Sequence, residues 1–414
     1  MFDAPTGGSV IHKLLLGLAV QGARILYAPL KLLPVRNKIV FMSRQSNTPS
    51  RDFKLLEAEW RARHPESEIV VLCHNMGSSV FARIAYLGVV LRQMYHLATS
   101  SACILDGYVI PASVLNHRDD LLIMQMWHAL GAIKKFGRQA LDRPHGRPSA
   151  VARVMRMHYN YDYVLCGGEA SVPVFAEAFG VDEERVVPIG LPRVDYLIEH
   201  AEKERARADS QSLARLVAAN PELLSDDTRK ILYAPTFRDT STLGFHLVAE
   251  HFSDTPYTLV VKPHDLDSSL QHSANIVDAT GVSVLALLPF ADVVITDYSA
   301  VAFEAAVIGK PVYFFVPDID EYEERQGLNL NPLTDLPTIS SRDITTIGRW
   351  IDESRYDSAA FTAAIEPYLP VSAYGATQRI ADLIDAHMAH TAAVPLTHRE
   401  PSTADATRSP GGDS

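Results

Sequence analysis

The sequence predicts an α/β fold of doubly wound parallel sheets, and three observations carry that expectation. Short apolar runs rich in Val and Ile recur along the chain, as fully buried parallel strands require. Segments with helical apolar spacing alternate with these runs, the pattern of βαβ units. Polar residues gather just after the runs, at the strand ends where open α/β sheets bind ligands. A chain of 414 residues is long enough for two or three domains, each with a core of its own.

In order, the chain opens with a leucine-dominated stretch at 11–34, punctuated by Lys13, Arg24 and Lys31. Basic side chains at those intervals snorkel to water, and Tyr27 suits a headgroup boundary. Residues 1–36 are therefore read as an amphipathic segment lying on a membrane, with a core helix of the first domain as the competing reading. The stretch lacks the small-residue cleavage site of a secretory signal. No run of 18 uncharged apolar residues occurs, so no transmembrane helix is expected.

Residues 37–200 read as the first α/β domain. Strands fall at 39–42, 69–72, 102–105, 121–126 and 163–166, and helices at 52–64 and 80–97. The second of these helices is apolar nearly all round and is expected to be buried. The segment 186–193 closes the domain, and a charged helical linker spans 201–229. A second domain over 230–345 begins with the strand at 231–235 and continues through 258–262. It then holds a complete strand–turn–helix–strand unit, with apolar runs at 293–295 and 312–316 around the turn Thr296-Asp297-Tyr298-Ser299. Residues 346–390 read as C-terminal helices, and 391–414, rich in Thr, Ser, Pro, Ala and Gly, as a disordered tail.

Composition narrows the function. Hydrophobic content of 47% and charged content of 21% describe a globular protein. Cys73, Cys103 and Cys166 have neither metal-type spacing nor the even number a disulfide framework needs, which suits a reducing interior. The net charge of -11 is unevenly spread: residues 1–160 carry 20 Lys and Arg against 10 Asp and Glu, the remainder 18 against 39. A basic first part facing something anionic fits a membrane surface better than nucleic acid, because no recognition helix or aromatic-basic RNA motif is present.

Four strand ends carry candidate chemistry. His128 follows the strand at 121–126, with Lys134, Lys135, Arg138, Arg143 and Arg147 downstream; a histidine titrating near neutrality can accept a proton from an attacking hydroxyl. Thr236 and Arg238 leave the strand at 231–235 through a proline, and arginine there can fork onto phosphate oxygens. Lys262 and His264 end the next strand with a second cation and a second histidine. In the 296–299 turn, Ser299 can cap the following helix and Asp297 lies beside it. Glu304, one turn on, is placed to accept hydrogen bonds from ribose hydroxyls. One site in the first domain and three in the second suit an acceptor on one domain and a nucleotide on the other. Asp318-Ile319-Asp320 has the spelling of a metal motif but follows a proline in an acidic loop, so no metal site and no tightly bound cofactor are expected.

The segments WHALGAIKKFG, ILYAPTFRD, KPHD and ITDYSAVAFEAAVIGKPVYFFVPDIDEY together resemble the CDP-glycerol glycerophosphotransferase family, makers of teichoic-acid-type polyol-phosphate polymers. The similarity runs from about residue 38 to about 385. It implies a GT-B arrangement, two Rossmann-like domains facing a cleft. It also implies peripheral attachment to the cytoplasmic face of the cell membrane and transfer of glycerol phosphate from CDP-glycerol, with release of CMP. By this resemblance His128 is the base acting on the acceptor hydroxyl and His264 the second catalytic histidine, beside the donor phosphates. Arg238 and Ser299 fall at phosphate-contacting positions, Asp297 on the acidic residue of the turn, and Glu304 on a ribose-holding position. Ala129 stands where the family has glycine, with one residue inserted relative to the family pattern, so the family lysine corresponds to Lys134 or Lys135. The implied partners are CDP-glycerol and a lipid-linked or polymeric polyol-phosphate acceptor. A CDP-ribitol donor, a UDP-sugar GT-B glycosyltransferase and a non-catalytic nucleotide-binding membrane partner are the alternatives, and the oligomeric state stays open.

Overall fold

A computed structural model describes residues 10–75, 80–236, 243–262, 275–370 and 374–393. Two six-stranded sheets organise it. The first contains β1 (Lys38–Ser43), β2 (Glu68–Cys73), β3 (Ala102–Leu105), β4 (Leu122–Gln125), β5 (Tyr163–Leu165) and β6 (Val186–Val187), in the order β2-β1-β3-β4-β5-β6. The second contains β7 (Lys230–Tyr233), β8 (Thr258–Val261), β9 (Ile276–Asp278), β10 (Val293–Thr296), β11 (Val312–Phe315) and β12 (Ser340–Ser341), in the order β12-β11-β10-β7-β8-β9. Every pairing is parallel. The central strands are buried along their whole length, which is why they read as continuous apolar runs. The edge strands β9 and β12 were not legible: one is three residues long, the other is Ser-Ser, and neither has an apolar run.

Each sheet reverses its strand order once, between β1 and β3 in the first and between β7 and β10 in the second. Doubly wound sheets open a crevice at such a reversal, because the flanking connections leave toward opposite faces. The second domain's cleft-facing turns issue from its reversal, whereas the first domain faces the cleft with the loop that follows β4.

The first helix, Val10–Leu30, corrects one expectation and supports part of its rival. Tyr27 is not at an interface: it is 1% exposed, and its hydroxyl donates to His117 Nδ1 at 3.0 Å. The His117 Nε2–H donates in turn to the Ala112 carbonyl at 2.8 Å. Arg24 Nε donates to the Val114 carbonyl rather than reaching for water. One stripe of the helix is thus docked onto the first domain, while Leu14, Leu15, Leu18, Ile25 and Leu26 remain exposed. The neighbouring helix Val80–Thr99 is not wholly buried either, since Leu87 and Leu91 face outward. No described helix is long and apolar enough to cross a membrane.

At the other end, the helix Ala376–Ala393 returns to the first domain and packs on the helices Arg51–Arg63 and Pro192–Glu199. Asp195 anchors it, its carboxylate accepting from Gly375, Ala376 and Thr377 N–H (2.7, 3.0 and 2.7 Å) and from Thr377 Oγ1 (2.6 Å). Gly375 turns there at φ +90°, which favours glycine. Asp195→Ala is expected to cost about 1–2 kcal/mol, the value of a lost N-cap, read as a lower urea midpoint with an unchanged slope.

Candidate active site

The carboxyl ends of β4, β7 and β10 converge on one cavity of about 450 Å³ between the domains. Trp127, His128 and Lys134 line it from the first domain; Thr236, Tyr298, Ser299 and Glu304 line it from the second. Close packing makes this facing possible. A Cβ at Gly131 would lie 2.8 Å from the Phe303 ring across the interface, so any side chain there would force that ring to shift. The loop beyond it is tied to the second domain: Lys135 N–H donates to the Gly327 carbonyl and Asn329 N–H to the Ile133 carbonyl.

His128 sits two residues past Met126, whose N–H donates to the Leu105 carbonyl at 2.7 Å and so still follows the sheet. Trp127 is in the left-handed region at φ +59°, an uncommon conformation for a bulky residue. Gln125 Oε1 accepts its N–H at 3.0 Å and helps hold that bend. His128 Nδ1 lies 3.0 Å from the Asp106 carbonyl, which can only accept, so Nδ1 carries the proton. Nε2 is left as a lone-pair acceptor on a ring that is exposed to the cavity. Desolvation by the surrounding walls pushes the His128 pKa down to about 4, with Arg193 and Lys134 adding in the same direction. The imidazole is therefore neutral and base-competent at pH 7. The acid limb of kcat/KM is expected near pH 4, since protonation removes the acceptor lone pair only below that value. A limb near 6.5, the ordinary histidine value, would show that the cavity walls do not depress the His128 pKa.

The second-domain wall departs from the sequence expectations in three places. Asp297 does not reach the cavity. It is 1% exposed, and Oδ1 accepts Thr236 N–H at 2.7 Å and Tyr298 N–H at 2.6 Å, which ties the β7 and β10 turns together. Ser299 caps the helix Val301–Val307 only weakly. Ala300 immediately precedes that helix with backbone angles already helical, Ser299 Oγ accepts the Val301 N–H at a long 3.4 Å, and the residue lines the cavity. Glu304 is no free carboxylate. Its Oε1 is paired with Arg193 Nη1 at 2.9 Å, while Oε2 is buried without a partner. Thr236 Oγ1 is likewise buried, and among the described residues neither atom has a hydrogen-bond partner.

Lys262 is half-buried at the end of β8 and does not line the cavity; burial lowers its pKa. Arg238 and His264 lie outside the described residues. Lys134, not Lys135, lines the cavity. Asp320 of the would-be metal motif is forked by both Nη atoms of Arg342, at 2.6 and 2.7 Å.

Sequence reasoning missed Arg193, the centre of the site's framework. Its N–H and guanidinium donate to Asp52, its Nη1 to the His128 carbonyl at 2.7 Å and to Glu304. One side chain thus joins the candidate base, the first domain and the second. Burial disfavours its charge, but Asp52 and Glu304 more than offset that, and its pKa is raised. Arg193 stands six residues past β6, so the strand-end criterion that singled out His128 was available for it too.

Comparison with known proteins identifies the family and the fold. Residues 26–386 match the family described as CDP-glycerol:poly(glycerophosphate) glycerophosphotransferase. The chain is 30% identical over 371 residues to the teichoic acid ribitol-phosphate primase of Bacillus spizizenii, covering 86% of this chain and 93% of that one. It is 29% identical over 256 residues to the teichoic acid glycerol-phosphate primase of Bacillus subtilis, covering 60% and 64%. A structure of the wall teichoic acid polymerase TagF superposes with a TM-score of 0.70 at 21% identity, covering 93% of this chain and 98% of that one, and so shares the GT-B-like fold. The match over most of the chain places it in the CDP-glycerol:poly(glycerophosphate) glycerophosphotransferase family, as a phosphotransferase of the teichoic acid primase and polymerase group.

Proposed function

We propose that the chain transfers glycerol phosphate from CDP-glycerol to a hydroxyl of a membrane-associated polyol-phosphate acceptor, releasing CMP. The observation that carries this reading is the shared cavity, with the His128 Nε2 lone pair on one side and the Thr236, Ser299 and Glu304 wall on the other. His128 takes the hydroxyl proton as the oxygen attacks the phosphorus bearing glycerol. A new P–O bond forms, the P–O bond to CMP breaks, and the proton passes from imidazolium to solvent or to the departing phosphate. Positioning and electrostatics supply most of the acceleration in such transfers. Lys134 stands in the cavity as a cation for the diphosphate. Thr236, Ser299 and the free oxygen of Glu304 bind the donor, Asp297 positions that wall, and Lys262 acts from outside it. Arg238 and His264 keep the donor-phosphate roles that family resemblance gives them. No tightly bound metal takes part, so turnover persists in excess chelator.

The ribitol-phosphate primase among the relatives favours one second reading, a CDP-ribitol donor. Purified protein incubated with a teichoic-acid-type acceptor and either CDP-glycerol, CDP-ribitol or a UDP-sugar decides between them. CMP release with CDP-glycerol supports the proposal, release with CDP-ribitol alone replaces it, and turnover of UDP-sugars alone overturns both.

The acceptor is presented at the cytoplasmic face of the membrane. The exposed leucines of the first helix, Leu87 and Leu91 on its neighbour, and nearby Lys13, Lys31 and Arg36 support contact with an anionic bilayer. Leu14→Ser, Leu18→Ser and Ile25→Ser combined are expected to abolish co-sedimentation with phosphatidylglycerol vesicles; undiminished pelleting counts against the contact.

A further inference from the structure

A second cavity, of about 370 Å³, lies mostly on the first domain against the catalytic one, with Gln326 of the second domain at its edge. The two share Trp127 and Phe136, so the ring held out by the left-handed bend forms the partition between them. Position in the fold gives it meaning. Arg44 is the first residue past β1, and Tyr108 lies three residues past β3. These are the two strands between which the first sheet reverses its order, the place where a doubly wound sheet opens its ligand crevice. In the second domain the equivalent reversal, between β7 and β10, supplies Thr236, Tyr298 and Ser299 to the catalytic cavity. The first domain's crevice has no role in the function proposed so far.

Its lining is cationic and, among the described residues, holds no aspartate or glutamate. Arg44 and Arg147 both contribute, with His145 beside them. Neither arginine makes an ion pair with a carboxylate among the described residues. The Arg44 guanidinium lies over the Tyr86 ring, 5.8 Å from its centroid; its Nη1 makes a long contact, 3.4 Å, to the Tyr108 carbonyl, and its Nε is buried with no hydrogen-bond partner among the described residues. Arg147 lies over the Tyr108 ring, 5.8 Å from its centroid. A guanidinium nitrogen withdrawn from water without an acceptor is costly unless a ligand supplies one. Planar forks of this kind match the paired oxygens of a phosphate.

We infer that this crevice is an acceptor subsite, in which Arg44 and Arg147 hold a phosphate group of the acceptor while its terminal hydroxyl reaches past Trp127 to His128. The inference rests on the transfer reading above for the word acceptor, but the anion site stands on its own geometry. Each domain then contributes the crevice at its own strand reversal, one for the donor and one for the acceptor, and Trp127 separates them. The phosphate belongs either to a diester of a polyol-phosphate chain or to the diphosphate of a lipid carrier.

Titration of the full-length protein with a synthetic glycerol phosphodiester dimer, and separately with geranyl diphosphate, tests this and separates the two sources. The ligand that binds wild type identifies the source. The double variant Arg44→Gln/Arg147→Gln is expected to bind it at least about tenfold more weakly, the value of one lost charge-assisted hydrogen bond, while CDP-glycerol affinity moves by less than about threefold. Arg147→Lys keeps the charge but loses the fork, and is expected to recover only part of the loss. Arg147→Gln alone, at an exposed position, supplies the comparison should the double variant misfold. Failure of both probes to bind wild type, equal binding by wild type and variants, or equal weakening of CDP-glycerol overturns the inference. Arginine-dependent binding in a protein that releases no CMP from any CDP-polyol would instead retain the anion site and remove the transfer reading.

Discussion

Arg193→Met is expected to destabilise the protein by about 3–5 kcal/mol, because it strands two buried carboxylates at once. The Asp52 side chain is 1% exposed and that of Glu304 4%, and both lose their cation together. The same change removes the donor to the His128 carbonyl and so loosens the loop that carries the base. Equilibrium unfolding in urea measures the first effect. Adding Asp52→Asn and Glu304→Gln to the variant neutralises the stranded charges and is expected to recover part of the stability but not the domain tie. A loss below about 1 kcal/mol would mean that the carboxylates take up protons or water at little cost.

His128→Ala is expected to lower kcat for CMP release by about 10²–10⁴-fold, the usual worth of a positioned general base. CDP-glycerol affinity should change by no more than a few-fold, because the donor rests on the opposite wall. Single-turnover rates and donor titration separate the two. Retained kcat with weakened donor affinity would move His128 from proton acceptor to donor contact. His128→Asn adds a further control. Its side-chain amide can still donate to the Asp106 carbonyl, yet it offers no basic nitrogen, so it is expected to be as slow as the alanine variant.

Much of the fold was legible because its strands are short and buried on both faces. Runs such as 39–42 and 293–295 can be little else when helical segments alternate with them. Strand ends were legible too, and His128, Thr236 and Ser299 were found by that route and meet in one cavity. The roles inside the 296–304 segment were not. Asp297 spends its carboxylate on two backbone amides, one of them across a neighbouring strand, and no local pattern announces that pairing.

The sequence by itself determined the alternation of strands and helices, the basic character of the first part and the types of residue offered at each strand end, since all of these depend on local periodicity and composition. Only the tertiary structure decided which of those residues share a space. The Arg193 links to Asp52 and Glu304 span 141 and 111 residues of chain, and the last helix returns across the molecule to Asp195. Docking of the first helix onto its domain also turned Tyr27 inward while leaving the leucines on its other side outside. The physical reason is that burial and charge pairing depend on distances in space, and a local sequence pattern constrains those only within one element and its immediate turn.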